Sequence, residues 1–195
     1  MASNTRKDAL IRYTSDMHAL VTHGVQALGR QIENLKDANH PEAHAAVQDF
    51  HRTLQAHASI LEARVEALGG SATQPLKEAV SRVAGLVAGL VNAVRGEEAS
   101  KSLRDDYTYL SHVAIGYMML DTTAAGLSDR ETRAIAETGY RDAARMVVHV
   151  DRIMPTVVLQ ELRQDGLTVN DVSTEVLSMV RDAWDRGSSA ASMSV

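Results

Sequence analysis

The sequence predicts an all-α protein, an antiparallel bundle of long amphipathic helices. Apolar residues recur every three or four positions along most of the 195-residue chain, which is the period of a helix with one buried face. Runs that alternate β-branched and polar residues, as strands do, are missing, and Gly, Asn or Pro separates the periodic segments. We therefore expect helices joined by turns around one shared core.

The first two helices are predicted over residues 5–35 and 41–68. Pro41 favours a helix start after a polar turn, and Gly69 favours a left-handed cap at the end of the second helix. The expected core positions are Leu10, Tyr13, Met17, Leu20, Gly24, Leu28, Ile32 and Leu35 in the first helix and Val47, Phe50, Leu54, His57, Leu61 and Leu68 in the second.

A third, strongly apolar helix is predicted over residues 74–95. Gly85 and Gly89 match the GxxxG pattern of membrane helix pairs, but the most apolar stretch, residues 83–94, is too short to span a bilayer. We expect a core helix and no membrane association.

The fourth and fifth helices are predicted over residues 100–127 and 130–162. Asp129 is a favourable N-cap between them, and Pro155 should kink the fifth helix because it removes a backbone hydrogen bond. The expected core positions are Leu103, Leu110, Val113, Tyr117, Leu120 and Leu127, followed by Ile135, Ala143, Met146, Val147, Val150, Ile153 and Val157.

The chain divides into a bundle, residues 1–165, and a C-terminal appendage, residues 166–195. Residues 171–184 form a short amphipathic helix that is marginal alone, so it should dock on the bundle or on another subunit. We expect a homodimer or larger homo-oligomer, with no further protein partner identified by the sequence. The last eight residues, SSAASMSV, are expected to be disordered.

Composition narrows the classes of function. The net charge of −5 is spread along the chain, and only seven residues are aromatic, so neither a phosphate-binding stripe nor a base-stacking surface is indicated. We expect no nucleic-acid partner. The absence of cysteine fits a reducing compartment, and residues 1–16 lack the apolar core of a signal peptide, so the predicted location is cytoplasmic.

Three segments carry a resemblance to a known family. They are AHASILEARVEALGGSAT, LRDDYTYLSHVAIGYMML and GYRDAARMVVHVDRIMPTVVLQEL. Together with helix lengths and order, they resemble the ferritin-like superfamily, in particular the small bacterial ferritin-like proteins of the YciF type, over residues 10–162. The resemblance implies a ferritin-like antiparallel four-helix bundle, here with an additional apolar helix and a short C-terminal helix. In metal-binding members it implies one Glu on each of two helices and Glu-x-x-His on each of the other two.

This chain departs from that ligand pattern. The motif on the second helix reads Leu54-Gln55-Ala56-His57, and Glu-x-x-His occurs nowhere. The corresponding regions of the other helices are residues 18–23, 116–120 and 146–151, which are mostly apolar. One His and a distant Asp do not supply the ligands of a di-iron centre. We therefore expect the di-iron carboxylate site to be lost, and with it ferroxidase activity.

The histidines leave two interpretations open. His57 lies on an apolar stripe, where it is either a core residue hydrogen-bonded to a neighbour or a ligand of Zn, Fe or Cu together with His18, His149 or His112. His40 and His44, four apart, form either a solvated face or a surface metal pair. The candidate metal ligands are thus His57, His18 and His149, and the preferred expectation is no cofactor.

No catalytic residues are identified, because the sequence has no phosphate loop, nucleophile elbow or supported Ser/His/Asp grouping. Asp105 and Asp106 are expected to be solvated. A methionine-rich core is expected from Met17, Met118, Met119, Met146 and Met154. The favoured function is a non-enzymatic structural or partner-binding protein, with a stress-related role suggested by the family resemblance; the alternative is a metal- or cofactor-binding protein that uses core histidines.

Overall fold

The computed structural model describes residues 2–36, 39–71 and 98–192, and throughout these ranges the regular structure is helical, as predicted. The helices are α1 (Ala2–Leu35), α2 (Pro41–Ala67), α3 (Ala99–Gly126), α4 (Arg130–Gln164) and α5 (Ser173–Ser192). The predicted apolar helix over residues 74–95 lies outside the described residues. Of the described helices, none combines the length and hydropathy needed to cross a membrane.

Residues in the left-handed backbone conformation follow the helix ends at positions where the sequence predicts turns. Gly69 has φ +73° and Gly166 has φ +82°, and each follows a helix end whose last carbonyls accept backbone N–H groups from the turn. Ser128, with φ +55°, does the same between α3 and α4. Asp129 then caps α4, because its side chain accepts a hydrogen bond from the Thr132 backbone N–H. The predicted cap is confirmed.

Helix ends differ from prediction in two places. α4 continues through Pro155 to Gln164, two residues beyond the predicted end. α5 continues to Ser192, whereas the sequence predicts a helix end at Trp184 and disorder from residue 188. The segment from Asp185 to Ser192 contains no proline, the residue that most strongly ends a helix, so the backbone hydrogen bonds can continue.

The four long helices pack around one core. α1 packs against α2 and α3, and α4 packs against α2 and α3, while α5 packs against α4. Contacts near both ends show that contacting helices run antiparallel. The pairs are Gln31–Asp106 and Arg6–Leu127 for α1 with α3, Phe50–His149 and Arg64–Glu131 for α2 with α4, and Ser100–Glu161 and Arg133–Asp121 for α3 with α4.

This order makes α2 and α3 diagonal and parallel. The end of α2 lies near the start of α1, where Leu10 and Leu68 share a small apolar cluster with Ala124 near the end of α3. α2 therefore ends, and α3 begins, at opposite ends of the four-helix group. The two helices meet across the core through the side chains of His57 and Tyr117.

The predicted core stripes are largely confirmed. The central cluster takes residues from α1, α2, α3 and α4 and includes Leu28, Phe50, Leu54, Leu61, Leu103, Leu110, Tyr117, Leu120 and Ile153, all almost fully buried. The methionine prediction is only partly right: Met17 and Met146 are buried, but Met118 and Met119 are about half exposed on the outer side of α3. They are adjacent to the core residue Tyr117, and a helix turns about 100° per residue, so they face outward.

Candidate functional site

A chain of hydrogen bonds crosses the core from α3 through α2 to α4. The hydroxyl of Tyr117 lies 2.9 Å from Nδ1 of His57, and Nε2 of His57 lies 3.0 Å from Oδ2 of Asp142. Tyr117 and His57 are buried, whereas the Asp142 side chain is 16% exposed. This series of hydrogen bonds therefore runs from the centre of the core to the surface.

The geometry fixes the protonation of His57. Burial lowers the pKa of His57, which favours the neutral ring. An ionised carboxylate can only accept, so Nε2–H donates to Asp142, and Nδ1 then accepts from the Tyr117 hydroxyl. A neutral imidazole satisfies all three groups. Both ring nitrogens are engaged within the protein, and neither is directed to solvent.

Gly139 of α4 makes room for the Tyr117 ring. A Cβ at Gly139 would lie 2.3 Å from the ring carbons of Tyr117, closer than any tolerated contact. Gly139 is itself buried. The glycine thus places the phenol against α4 and directs its hydroxyl towards His57.

Asp142 borders a surface groove between α2 and α4. The groove has a volume of about 320 Å³, and Arg145 pairs with Asp142 at its edge. His149 lies in the same groove, where its ring meets the edge of Phe50 at a centroid distance of 5.6 Å. The remaining lining residues are Asp49, Arg52, Thr53 and Met146.

A second buried polar pair joins α1 to α3. Asp106 is buried, and Nε2 of Gln31 donates to its Oδ2 at 2.7 Å. Burial raises the pKa of Asp106 to about 7, although the Gln31 hydrogen bond acts in the opposite direction. The expectation that Asp105 and Asp106 form a solvated pair is wrong for Asp106. Its position, three residues after Leu103 and four before Leu110, places it on the buried stripe, and that spacing was the available signal.

Tyr109 fills the adjacent space between α1 and α3. Its hydroxyl donates to the backbone carbonyl of Leu20 at 2.9 Å, and burial raises its pKa above the usual range. A Cβ at Gly24 would lie 2.0 Å from the Tyr109 hydroxyl oxygen, so α1 approaches the phenol only because residue 24 is glycine.

Arg64 forms a charged cluster at the other end of the core. Its Nη2 donates to both carboxylate oxygens of Asp129, at 2.8 and 2.9 Å, and its Nε donates to the hydroxyl of Thr132 at 2.8 Å. Glu131 also pairs with it. Burial acts against the charge of Asp129, but the Thr132 hydrogen bonds and the guanidinium lower the Asp129 pKa overall. The cluster ties the end of α2 to the start of α4.

The three candidate metal ligands contact different partners. His57 bonds to Tyr117 and Asp142, whereas His149 packs on Phe50 beside the groove. His18 is buried on α1, where burial lowers its pKa and the nearby Glu62 acts in the opposite direction. His112, the alternative fourth ligand, is exposed. Within the ranges 2–36, 39–71 and 98–192, no three His, Asp or Glu side chains are grouped so that they could hold a metal ion.

The regions where the resemblance implies carboxylates hold other side chains. Leu54 is fully buried on α2, Tyr117 and Leu120 are buried on α3, and Met146 and Val150 are buried on α4. Beside them, His57 bonds to Tyr117 and to Asp142, so on α2, α3 and α4 the arrangement provides internal hydrogen bonds rather than open ligand positions.

Sequence reasoning identified His57 but missed its partners. Tyr117 was assigned only to the core face, and Asp142 and Arg64 were not singled out. Asp142 lies four residues before the core residue Met146, at the margin of the buried face of α4. The local pattern could suggest a boundary position, but it could not reveal which group on α2 faces it.

Comparison with known proteins gives a likeness of fold. No family model and no curated protein matches the chain. A solved structure from Xanthomonas campestris pv. campestris is similar, with a TM-score of 0.66 and 14% sequence identity over 84% of this chain and 99% of that chain. At that identity, the similarity establishes a shared all-helical fold and carries no assignment of activity.

Proposed function

We propose that this protein is a ferritin-like helical bundle without a di-iron carboxylate site, and that it acts as a non-enzymatic structural or partner-binding protein. The bundle assignment is supported by the antiparallel pairing of the four long helices and by the parallel, diagonal arrangement of α2 and α3. A cytoplasmic location and a stress-related role stay predictions from the sequence.

One observation carries the proposal: the polar groups at the centre of the core bond to each other. His57 uses both ring nitrogens, one for Tyr117 and one for Asp142, and Leu54 occupies the position three residues before it where the family motif has Glu. Four carboxylates are needed to neutralise a pair of iron ions. One neutral histidine among apolar side chains carries no negative charge and cannot replace these four carboxylates.

Exposed apolar side chains support a binding role. On α5, Met179 is 57% exposed and Trp184 is 60% exposed, and Val172, just before the helix, is also exposed. On the outer side of α3 and α4, Ile115, Met118, Met119, Tyr140 and Val148 are exposed as well. Single exposed apolar side chains are ordinary on a protein surface, and contiguous patches of them are typical of surfaces that contact another chain.

Metal analysis tests the proposal. The protein is purified without chelators from cells grown with added iron, zinc and copper, and bound metal is measured by mass spectrometry. We expect far less than one metal ion per chain, and the same low content in His57→Ala. Two irons per chain would contradict the proposal. One zinc, iron or copper per chain, lost in His57→Ala but retained in the control His51→Ala, a half-buried histidine outside the candidate set, would favour the alternative histidine site.

A further inference from the structure

We propose that the partner is a second copy of this chain, and that α5 of one copy docks on the outer face of α4 of the other. The inference specifies the partner-binding role proposed above and rests on it. It follows from two complementary surfaces of the described chain, one acidic and one basic, each lying beside exposed apolar side chains.

The basic surface, here called the arginine face, lies on the outer side of α4 and consists of Arg141, Arg145 and Arg152 with Tyr140, Ala144 and Val148. All three arginines are exposed, and Val148 is 55% exposed. Two shallow hollows of about 430 and 450 Å³ lie along it, the first bordered by Tyr140 and Arg141 and the second by Val148 and Arg152, with Arg145 bordering both. The arginine face can therefore receive apolar side chains between charged edges.

The acidic surface, here called the acidic face, lies on α5 and the two residues before it, and consists of Asp171, Glu175 and Asp182 with Val172 and Met179. Asp171 lies two residues before the first residue of the helix, Ser173, and all three carboxylates are exposed. Val176 and Val180 of the same helix are half-buried. These four apolar residues share the spacing of a single helical stripe, and Val172 and Met179, at the margin beside the acids, are the more exposed.

The two faces share one spacing. The acids occupy positions 171, 175 and 182, and the arginines occupy positions 141, 145 and 152, so both sets have intervals of four and seven residues. Seven residues are two helical turns, or about 10.5 Å, so Glu175 and Asp182 project from one side of α5, and the three arginines project from one side of α4. Two parallel helices would bring Glu175 opposite Arg145 and Asp182 opposite Arg152. Arg186 follows the acids by one turn, and the matching position on α4 is the neutral Thr156.

Existing ion pairs do not prevent this contact. Arg145 pairs with Asp142 and Arg141 with Glu137, in both cases along α4 itself and with the arginine exposed. Exposed pairs of this kind contribute roughly 0–1 kcal/mol, so a partner carboxylate can compete with them. Arg152 makes no ion pair with any acid in the part of the chain that the structure describes.

A two-fold dimer satisfies both chains. Each copy has one arginine face and one acidic face, so a reciprocal exchange forms two identical contacts and leaves neither face open. α5 is 20 residues long, about 30 Å, which gives each contact substantial length. Reciprocal docking also covers Val172 and Met179, so charge selects the register while apolar burial provides affinity.

Charge reversal tests the arrangement. Arg145→Glu/Arg152→Glu and Glu175→Arg/Asp182→Arg are purified separately, and their masses are measured by size-exclusion chromatography with light scattering. We expect wild type at twice the 21.1 kDa chain mass and each variant as a monomer, with dimerisation weakened roughly 100-fold. A mixture of the two variants should recover the dimer, because each acquires a complementary partner at both contacts. Arg12→Glu/Arg30→Glu, two exposed residues on α1, is the control for net charge and should stay dimeric.

The outcomes separate this inference from the proposed function. A monomeric wild type, a dimer unaffected by either reversal, or a mixture that stays monomeric would each overturn the dimer contact. The metal measurement described above is independent of these masses, so a metal-free protein with an unaffected dimer would leave the proposed function in place. Circular dichroism confirms that each variant is folded.

Discussion

Tyr117 donates a hydrogen bond to Nδ1 of His57 across the core, at 2.9 Å, and thereby joins the two diagonal helices α3 and α2. The rings of the two residues meet edge to face, with centroids 5.5 Å apart. A side-chain bond between diagonal helices restricts how neighbouring pairs can slide past one another. The contact therefore helps to specify one register of the bundle.

Replacement of Tyr117 by Phe should destabilise the protein by about 1–3 kcal/mol, because it leaves a buried ring nitrogen without a donor. His57 cannot adapt by exchanging tautomers, since Asp142 requires the Nε2 hydrogen. Urea unfolding measures the loss. Tyr13→Phe removes a hydroxyl from a half-buried residue of α1 and should change stability by less than about 0.5 kcal/mol. Equal effects of the two substitutions would show that the His57 bond contributes nothing.

Asp106 should make stability depend on pH. Its pKa in the folded protein is raised to about 7, above the value of an unfolded carboxyl group. The folded state therefore binds the proton more tightly, and the stabilisation is complete below the unfolded pKa and is lost as pH rises through about 7. Asp106→Asn removes this dependence on pH. The free energy of unfolding of the variant relative to wild type should therefore rise by about 1–3 kcal/mol from about pH 5 to about pH 8.

The control for this comparison is Asp8→Asn, an exposed acid on α1. Unfolding curves at the two pH values are recorded for wild type and both variants. The Asp8 variant should follow wild type. A stability difference between Asp106→Asn and wild type that is the same at both pH values would contradict the raised pKa.

Two glycines of α1 should respond oppositely to alanine. Gly24→Ala places a Cβ 2.0 Å from the Tyr109 hydroxyl, so α1 and α3 must separate or Tyr109 must leave the Leu20 carbonyl. We expect a loss of about 1–3 kcal/mol from overpacking. At Gly29 the nearest atom is 3.5 Å away, an ordinary contact, so Gly29→Ala should stabilise by up to about 1 kcal/mol through helix propensity. Thermal unfolding of the two alanine variants distinguishes an effect of packing from an effect of helix propensity. A higher unfolding temperature for both variants would refute the close approach of Tyr109.

Arg64 should not tolerate lysine. Lysine keeps the charge, but its single ammonium nitrogen cannot occupy the positions of both Nε, which donates to Thr132, and Nη2, which donates to Asp129. Arg64→Lys is expected to cost about 1–3 kcal/mol, since hydrogen bonds to charged groups contribute that much. The matched control is Arg52→Lys, whose exposed pair with Asp49 should matter little. If both lysine variants unfold at the same urea concentration, the cluster does not stabilise the α2–α4 contact.

Much of the fold could be predicted because it depends on local features. The three- and four-residue spacing of apolar side chains identified α1, α2, α3 and α4, and Gly69 and Asp129 marked helix ends through backbone preferences that act within one turn. The end of α5 was placed too early, since composition alone does not show whether an alanine- and serine-rich end stays helical. Asp106 shows that a charged residue on an apolar stripe should be taken as buried when the period demands it.

What the sequence determined by itself was the presence of the helices in the described residues and most positions of their buried faces, since both follow from interactions between residues a few positions apart. Only the tertiary structure decided that His57 meets Tyr117 and Asp142, that Asp106 meets Gln31, and that Gly24 and Gly139 admit two phenol rings. The hydrogen-bonded pairs join residues 60 to 85 positions apart, and the glycine contacts depend on which helices are neighbours. The periodicity of a single helix specifies neither the distant partner nor the neighbouring helix.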